Sequence, residues 1–258
     1  MKKILAIFLL VFTVSFVSAQ KSGKKKHHPV VEFSSGVDFV SGFIWRGLDF
    51  GSAPAIQPNA AIGAFGFELS AFASYALMAN VEKGFDKVPY SEFDLEFKYS
   101  IPTRSAGTFS IIASDIFMPF LGMAYSNYEG VVDGIQEGAH WLSIGLGYEG
   151  TRHFPLSLRV DYHFHNDISK SIYAELGYKF VYGRNKIDLF CGVATGTNSD
   201  LPGSVFYEIE DDEIGFINVG GSISRIIRVT DSFHIPLKTS VVFNPNANIG
   251  YLVCSLSL

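Results

Sequence analysis

Ser91-Glu92-Phe93-Asp94-Leu95-Glu96-Phe97-Lys98-Tyr99 places an aromatic or aliphatic side chain at every second position and a charged or small one between. Successive side chains of a strand point to opposite faces, so this stretch has one apolar and one polar side. Pro155 to His165 repeats the pattern, with Leu156, Leu158, Val160, Tyr162 and Phe164 opposed by Ser157, Arg159, Asp161, His163 and His165. Twelve segments read this way: 31–45, 57–65, 67–78, 91–101, 107–117, 140–149, 155–165, 170–182, 185–196, 215–229, 233–243 and 249–258. None repeats apolar residues at the 3.6-residue spacing of a helix.

The intervals between segments alternate in length. After even-numbered segments they are short and built from turn formers: Gly66, Pro102 to Ala106, Gly150 to Phe154, Gly183-Arg184 and Thr230 to Ser232. After odd-numbered ones most are longer, as from Arg46 to Ile56, Ala79 to Tyr90, Met118 to Ala139 and Thr197 to Ile214. An up-and-down sheet puts all odd connections at one end and all even ones at the other. Outer-membrane barrels show this asymmetry, with long loops outside and short turns on the periplasmic side. The expected fold is an all-β, antiparallel up-and-down transmembrane β-barrel of about twelve strands, with both termini periplasmic.

The remaining features fit export to that compartment. Lys2-Lys3, the apolar run Ile4 to Val17 and the small residues before Gln20 predict a signal peptide over 1–19. A periplasmic leader over 20–29 follows, carrying Lys24-Lys25-Lys26 and His27-His28, and the barrel occupies 30–258. Losing Lys2 and Lys3 takes the formal charge of −5 two units further negative. That balance excludes a nucleic-acid partner, which needs a basic patch. No later apolar run approaches the roughly 18 residues of a membrane helix. Cys191 and Cys254 fall on the ninth and twelfth segments and read as isolated apolar residues.

Orientation decides function, because soluble and membrane barrels both alternate. Twelve strands enclose more room than apolar side chains fill. The polar set mixes charges with small residues, as a wet lumen would. The opposite set, including Phe33, Phe43, Leu95, Phe97, Leu146, Ile217, Val219 and Leu252, is nearly free of charge. Aromatics gather towards segment ends (Phe43, Trp45, Tyr90, Tyr99, Phe117, Trp141, Phe164, Phe180, Tyr182, Phe233 and Phe243), where interfacial girdles sit. A soluble sandwich is the competing architecture.

Gly42-Phe43-Ile44-Trp45-Arg46-Gly47, Pro54-Ala55-Ile56-Gln57 and the Gly66-Phe67 restart resemble the first hairpin of the TorF-type porin family. There an aromatic-Arg-Gly step ends the first strand and a Pro-Ala-[Val/Ile]-Gln step opens the second. Leu48-Asp49-Phe50 replaces the polar run usual after Arg-Gly, and Pro58-Asn59 stands where glycines are usual. The resemblance implies an outer-membrane barrel in a family whose porin role is itself inferred.

Candidate pore-lining residues are Glu92, Asp94, Glu96, Lys98, Arg159, Asp161, His163, Glu175 and Lys179. The acidic stripe of the fourth segment, opposed by Arg159, Lys98 and Lys179, would set a transverse field and an ion preference. The alternative is a closed network of paired charges filling a non-conducting barrel. Arg46 is the candidate loop anchor: either it folds inward with Leu48 to Ala55 as a constriction, or it pins a glycine turn to carboxylates or lipid phosphate. Glu208-Ile209-Glu210-Asp211-Asp212-Glu213 is an acidic loop without the spacing of a calcium site. No catalytic residue, metal site or cofactor is expected. His163, His165, Asn166, Asp167 and Ser169 crowd one strand end, but no Gly-x-Ser-x-Gly or His-Glu-x-x-His motif accompanies them. The reading is a non-enzymatic passive channel of the outer membrane, with membrane lipid and small polar solutes or ions as partners. A sealed barrel whose long loops bind an envelope partner is the alternative, and a lipid hydrolase or deacylase the less favoured one. The sequence leaves oligomerisation open.

Overall fold

A computed structural model describes residues 31–83, 86–132, 135–136, 138–167, 169–195, 207, 209, 214–231 and 233–258. The signal peptide and leader, and all of the acidic loop but Ile209, lie outside the described residues.

Twelve strands form the wall: β1 (Glu32–Val40), β2 (Ala55–Ala64), β3 (Phe67–Lys83), β4 (Asp86–Pro102), β5 (Thr108–Phe117), β6 (His140–Thr151), β7 (Phe154–His165), β8 (Ile172–Tyr182), β9 (Asn185–Thr195), β10 (Ile214–Arg228), β11 (His234–Asn244) and β12 (Ile249–Ser257). Each pairs antiparallel with its sequence neighbours, and β1 pairs with β12, so the sheet is a closed barrel. Closure leaves most strands with partners on both sides, which removes the open edges an aggregating sheet would carry. Tight turns join the even-numbered strands to their successors. At Phe65-Gly66 both residues adopt positive φ, 57° and 87°, as a two-residue type I′ hairpin requires.

Alternation is realised as expected: the apolar set faces out and the polar set faces in. Leu146, Leu158, Leu176, Val241 and Leu252 are exposed on the outer surface, whereas Ser74, Asp161 and His163 are at most 1% exposed inside. Cys191 and Cys254 are free, on strands that are not neighbours.

Several expectations change. The first segment ends at Val40, not 45: the chain leaves the wall and runs inward, so Phe43 and Trp45 lie in the lumen and not in an interfacial girdle. The predicted long loop from Ala79 to Tyr90 is mostly continuous hairpin, as β3 reaches Lys83 and β4 begins at Asp86. Tyr90 thereby shares the inward parity of Glu92 and is buried instead of girdling the barrel. Ile217, placed on the outer face by simple alternation, is fully buried inside. The cause is a β-bulge: Gly192 pairs with Asn218 and Val193 with Phe216, so Ile217 is the extra residue and both it and Asn218 turn inward.

The connection from Met118 to Ala139 carries a short 3-10 turn (Pro119–Leu121) and a small hairpin (Val131–Val132 with Ile135–Gln136). Its Tyr125 and Tyr128 cover the wall at the β5–β6 rim. Tyr128 stacks on His140 with centroids 3.7 Å apart, and Tyr125 meets Phe117 edge-on. His140 is locked there between Asp115 (2.7 Å from Nδ1) and the Tyr125 carbonyl (2.6 Å from Nε2). Phe117, another expected girdle residue, is consequently covered.

Candidate functional site

The segment between β1 and β2, residues 41–54, forms a strap inside the lumen. Ile44–Trp45 pairs with Leu48–Asp49, and Arg46-Gly47 makes the turn with φ of 52° and 79°. Positive φ at both central residues is again the type I′ hairpin, comfortable for glycine and unusual for arginine. Glycine is required at 47 for a second reason: a Cβ there would collide with the Ile217 backbone carbonyl. The Gly47 carbonyl accepts a hydrogen bond from Asn244 Nδ2 at 3.2 Å. Asp49 closes the return by accepting from the Ser52 amide at 2.9 Å and hydroxyl at 2.6 Å.

Two kinds of contact hold the strap across the barrel. Towards β3 and β4 they are aromatic: Phe43 lies against Phe72 (5.8 Å between centroids), and Phe50 against Tyr90 (5.3 Å). Phe120 from the β5–β6 connection adds a third ring to Tyr90 at 5.0 Å. Towards β7 and β8 they centre on one guanidinium. Arg46 donates to Asp161 Oδ2, to Tyr207 Oη at 2.7 Å and to His163 Nε2 at 3.0 Å. Its cation also sits between two ring faces, 4.3 Å from the Trp45 centroid and 4.2 Å from that of Tyr173. Tyr207 stacks with both Trp45 and Tyr173. Tyr173, Ala194, Tyr207, Ile209 and Ile217 form a fully buried cluster beneath, joined by Trp45 and Leu48. Burial pushes the Tyr207 phenol up to about 12, despite the opposing pull of Arg46. It stays neutral and accepts from Arg46, with its hydroxyl 3.0 Å from His163 Nε2.

The candidate pore-lining residues all project inward, but they do not form one stripe opposed by one stripe. Arg159 bridges Glu96 (2.9 Å) and Asp161 (2.7 Å), linking β4 to the Arg46 network. Asp161 therefore meets two guanidinium groups while fully buried, the pairing that a buried carboxylate needs. Glu92 is bound by the Tyr90 hydroxyl, and Glu175 by Tyr173 (2.5 Å) and Asn218 (2.7 Å). Asp94 borders both of the spaces left in the lumen. Lys98 and Lys179 stand apart from the acidic stripe of β4. Lys98 pairs with Glu68 at 2.5 Å across the β3–β4 ladder, and Lys179 with Glu149 at 2.9 Å in an exposed pair.

The strap separates two spaces. One of about 310 Å³ is lined by Trp45, Arg46, Asp94, Glu96, Arg159, His163 and Glu175. The other, about 690 Å³, runs along β1, β11 and β12, with Asp38, Lys238, Ser240, Ser255 and Ser257 beside Val40, Phe43, Val242 and Val253. Sequence reading missed Trp45, Tyr173, Tyr207 and Asn218 as parts of this site. Tyr173 was open to detection, since it precedes Glu175 by two and shares its face. Asn218 was hidden by the bulge, and Tyr207 by a loop position without periodicity.

Searches against models of protein families and against curated proteins returned no match to this chain.

Proposed function

We propose that the chain is an outer-membrane β-barrel acting as a passive channel for small polar solutes or ions, with the strap as its constriction. The observation that carries this reading is the strap itself, which lies across a polar, charge-lined lumen and leaves space on both sides. The outer surface supports the membrane placement. Its exposed residues on β6, β8, β11 and β12 (Leu146, Leu176, Val241, Leu252, Leu256) are apolar. A strand of about ten residues tilted near 40° crosses the roughly 25 Å apolar band of an outer membrane. Closure satisfies most of the backbone hydrogen bonding that hydrocarbon demands. Residues shared with the TorF-type hairpin gather here too: Arg46-Gly47 is the strap turn, and Gln57 donates to Ser74 at 3.1 Å inside the barrel.

The strap's double attachment supports a second reading, a sealed barrel whose outer connections bind a partner. Single-channel recording in planar bilayers decides between them. Steady steps that grow when Arg46→Ala frees the strap are the result expected of a channel. A silent barrel that stays silent in Arg46→Ala overturns it.

A further inference from the structure

The wall is not equally closed around its circumference. Neighbouring strands elsewhere share long registers, such as the ten residue pairs of β8 with β9, but β1 and β12 share only three, Asp38–Ser257, Phe39–Leu256 and Val40–Ser255. The Val37–Leu258 and Ser41–Cys254 hydrogen bonds extend the seam by one contact at each end. Then β1 stops, because the chain turns inward as the strap. Its partner β2 begins only at Ala55, level with Val40. Above that level β2 is extended by Pro54, whose carbonyl accepts from the Leu77 amide of β3 at 2.8 Å. Beyond Pro54 no described strand lies between β12 and β3, a notch about 10 Å wide at sheet spacing.

The notch exposes a strand edge. On β12 the residues that exchange hydrogen bonds with the β1 side are Cys254 and Leu258. Ladder alternation puts the amides and carbonyls of Leu252 and Gly250 on that same edge, where no described strand meets them. The apolar outer surface continues to this height. Leu252 is 69% exposed, with Val241 and Phe243 beside it on β11, and Leu77 faces out on β3 beside Pro54 at the far margin of the notch. A free edge within an apolar band is not tolerated in hydrocarbon unless something supplies hydrogen bonds to it. Behind the notch lies the larger lumen space. Its lining includes the apolar Val40, Phe43, Val242 and Val253 from the strands and strap that border the notch, and a Cβ at Gly42 would meet nothing within 4 Å.

We infer that a membrane lipid enters this notch, its acyl chain reaching into the 690 Å³ space and its polar headgroup region bonding the free edge of Leu252 and Gly250. The inference rests on the barrel spanning a membrane, and goes beyond passage of polar solutes along the axis. The chemistry is that of an acyl-chain amphiphile: hydrocarbon matches the band and the cavity mouth, and ester or phosphate oxygens match unpaired amides.

The chain has two tryptophans, and Trp45 borders the cavity, so quenching by lipid can be read directly. Trp141→Phe protein is reconstituted in vesicles of phosphatidylcholine brominated on its acyl chains. A reference protein carries Ile144→Trp on the outer face, with Trp45→Phe and Trp141→Phe. The expected result is loss of Trp45 emission comparable to that of the outer-face reporter, diminished when Val253→Phe narrows the cavity mouth. If the outer-face reporter is quenched and Trp45 keeps its full emission, the lipid site is wrong and the membrane placement stands. A dimer on sizing in that case assigns the edge to a second copy of the chain and equally overturns the proposal. If neither reporter is quenched, the membrane placement falls and the lipid site with it.

Discussion

The strap is held on its two sides by different physics. Against β3 and β4 it rests on rings, Phe43 and Phe50 on Phe72 and Tyr90. Against β7 and β8 a cation joins the apolar packing of Trp45 and Leu48: Arg46 is shared among Asp161, Tyr207, His163 and two aromatic faces. Ring packing is non-directional and degrades in proportion to the volume removed. A buried ion pair degrades abruptly, because removing one partner leaves the other charged and dry. The strap should therefore tolerate change on its aromatic side and fail on its cationic side.

Arg46→Ala is the severest break. It strands Asp161, which is fully buried and keeps only Arg159, and a loss of about 3–5 kcal/mol is the order expected for an unpaired buried charge. Equilibrium unfolding in urea from lipid vesicles would read it. Arg46→Lys is expected to recover only part of the loss, since an ammonium cannot reproduce the guanidinium fork or its stacking. Full recovery by lysine would show that charge alone holds this side. Gly47→Ala comes next. The added Cβ meets the Ile217 carbonyl at a positive-φ position, and a cost of about 1–3 kcal/mol is expected from such a strained residue. Phe43→Leu tests the other side. It keeps most of the apolar volume, so a loss under about 1.5 kcal/mol is expected, with conductance close to the parent's. An effect as large as that of Arg46→Ala would erase the contrast between the two sides.

How much of this was legible depended on periodicity. The wall was readable because a period of two is set by the strand itself, and every one of the twelve segments corresponds to a barrel strand. Ile217 was misplaced because one extra residue at a bulge inverts the parity that follows it. Phe43 and Trp45 were misplaced because Gly42 to Trp45 continues an apolar pattern although the backbone has already left the sheet. Residue type suits an interfacial girdle and a lumen filling equally, so sequence could not separate them. Arg46 stood out as a candidate from Arg-Gly at a strand end. Its partners Asp161 and His163 lie far along the chain and were identified only as inward-facing residues. The pairing of distant charges is set by barrel closure, which no local window contains.

The smallest expected effect sharpens the contrast between residues at the strap and residues merely in the lumen. Arg159 and Glu96 border the narrower space beside Arg46, whereas Lys179 and Glu149 form an exposed pair away from it, with side chains 54% and 62% exposed. Charge controls permeation where water is scarce and ions pass close to the wall; in open solvent the same charge is screened within about 10 Å at moderate salt. In a conducting barrel, Arg159→Gln and Glu96→Gln should shift the reversal potential under a salt gradient in opposite directions. Lys179→Gln should leave it unchanged, and alter stability by no more than the 0–1 kcal/mol or so of an exposed ion pair. A shift with Lys179→Gln equal to that with Arg159→Gln would move the selective region away from the strap, towards the turn-bearing end of the barrel. Ion preference would then be independent of the segment that divides the lumen.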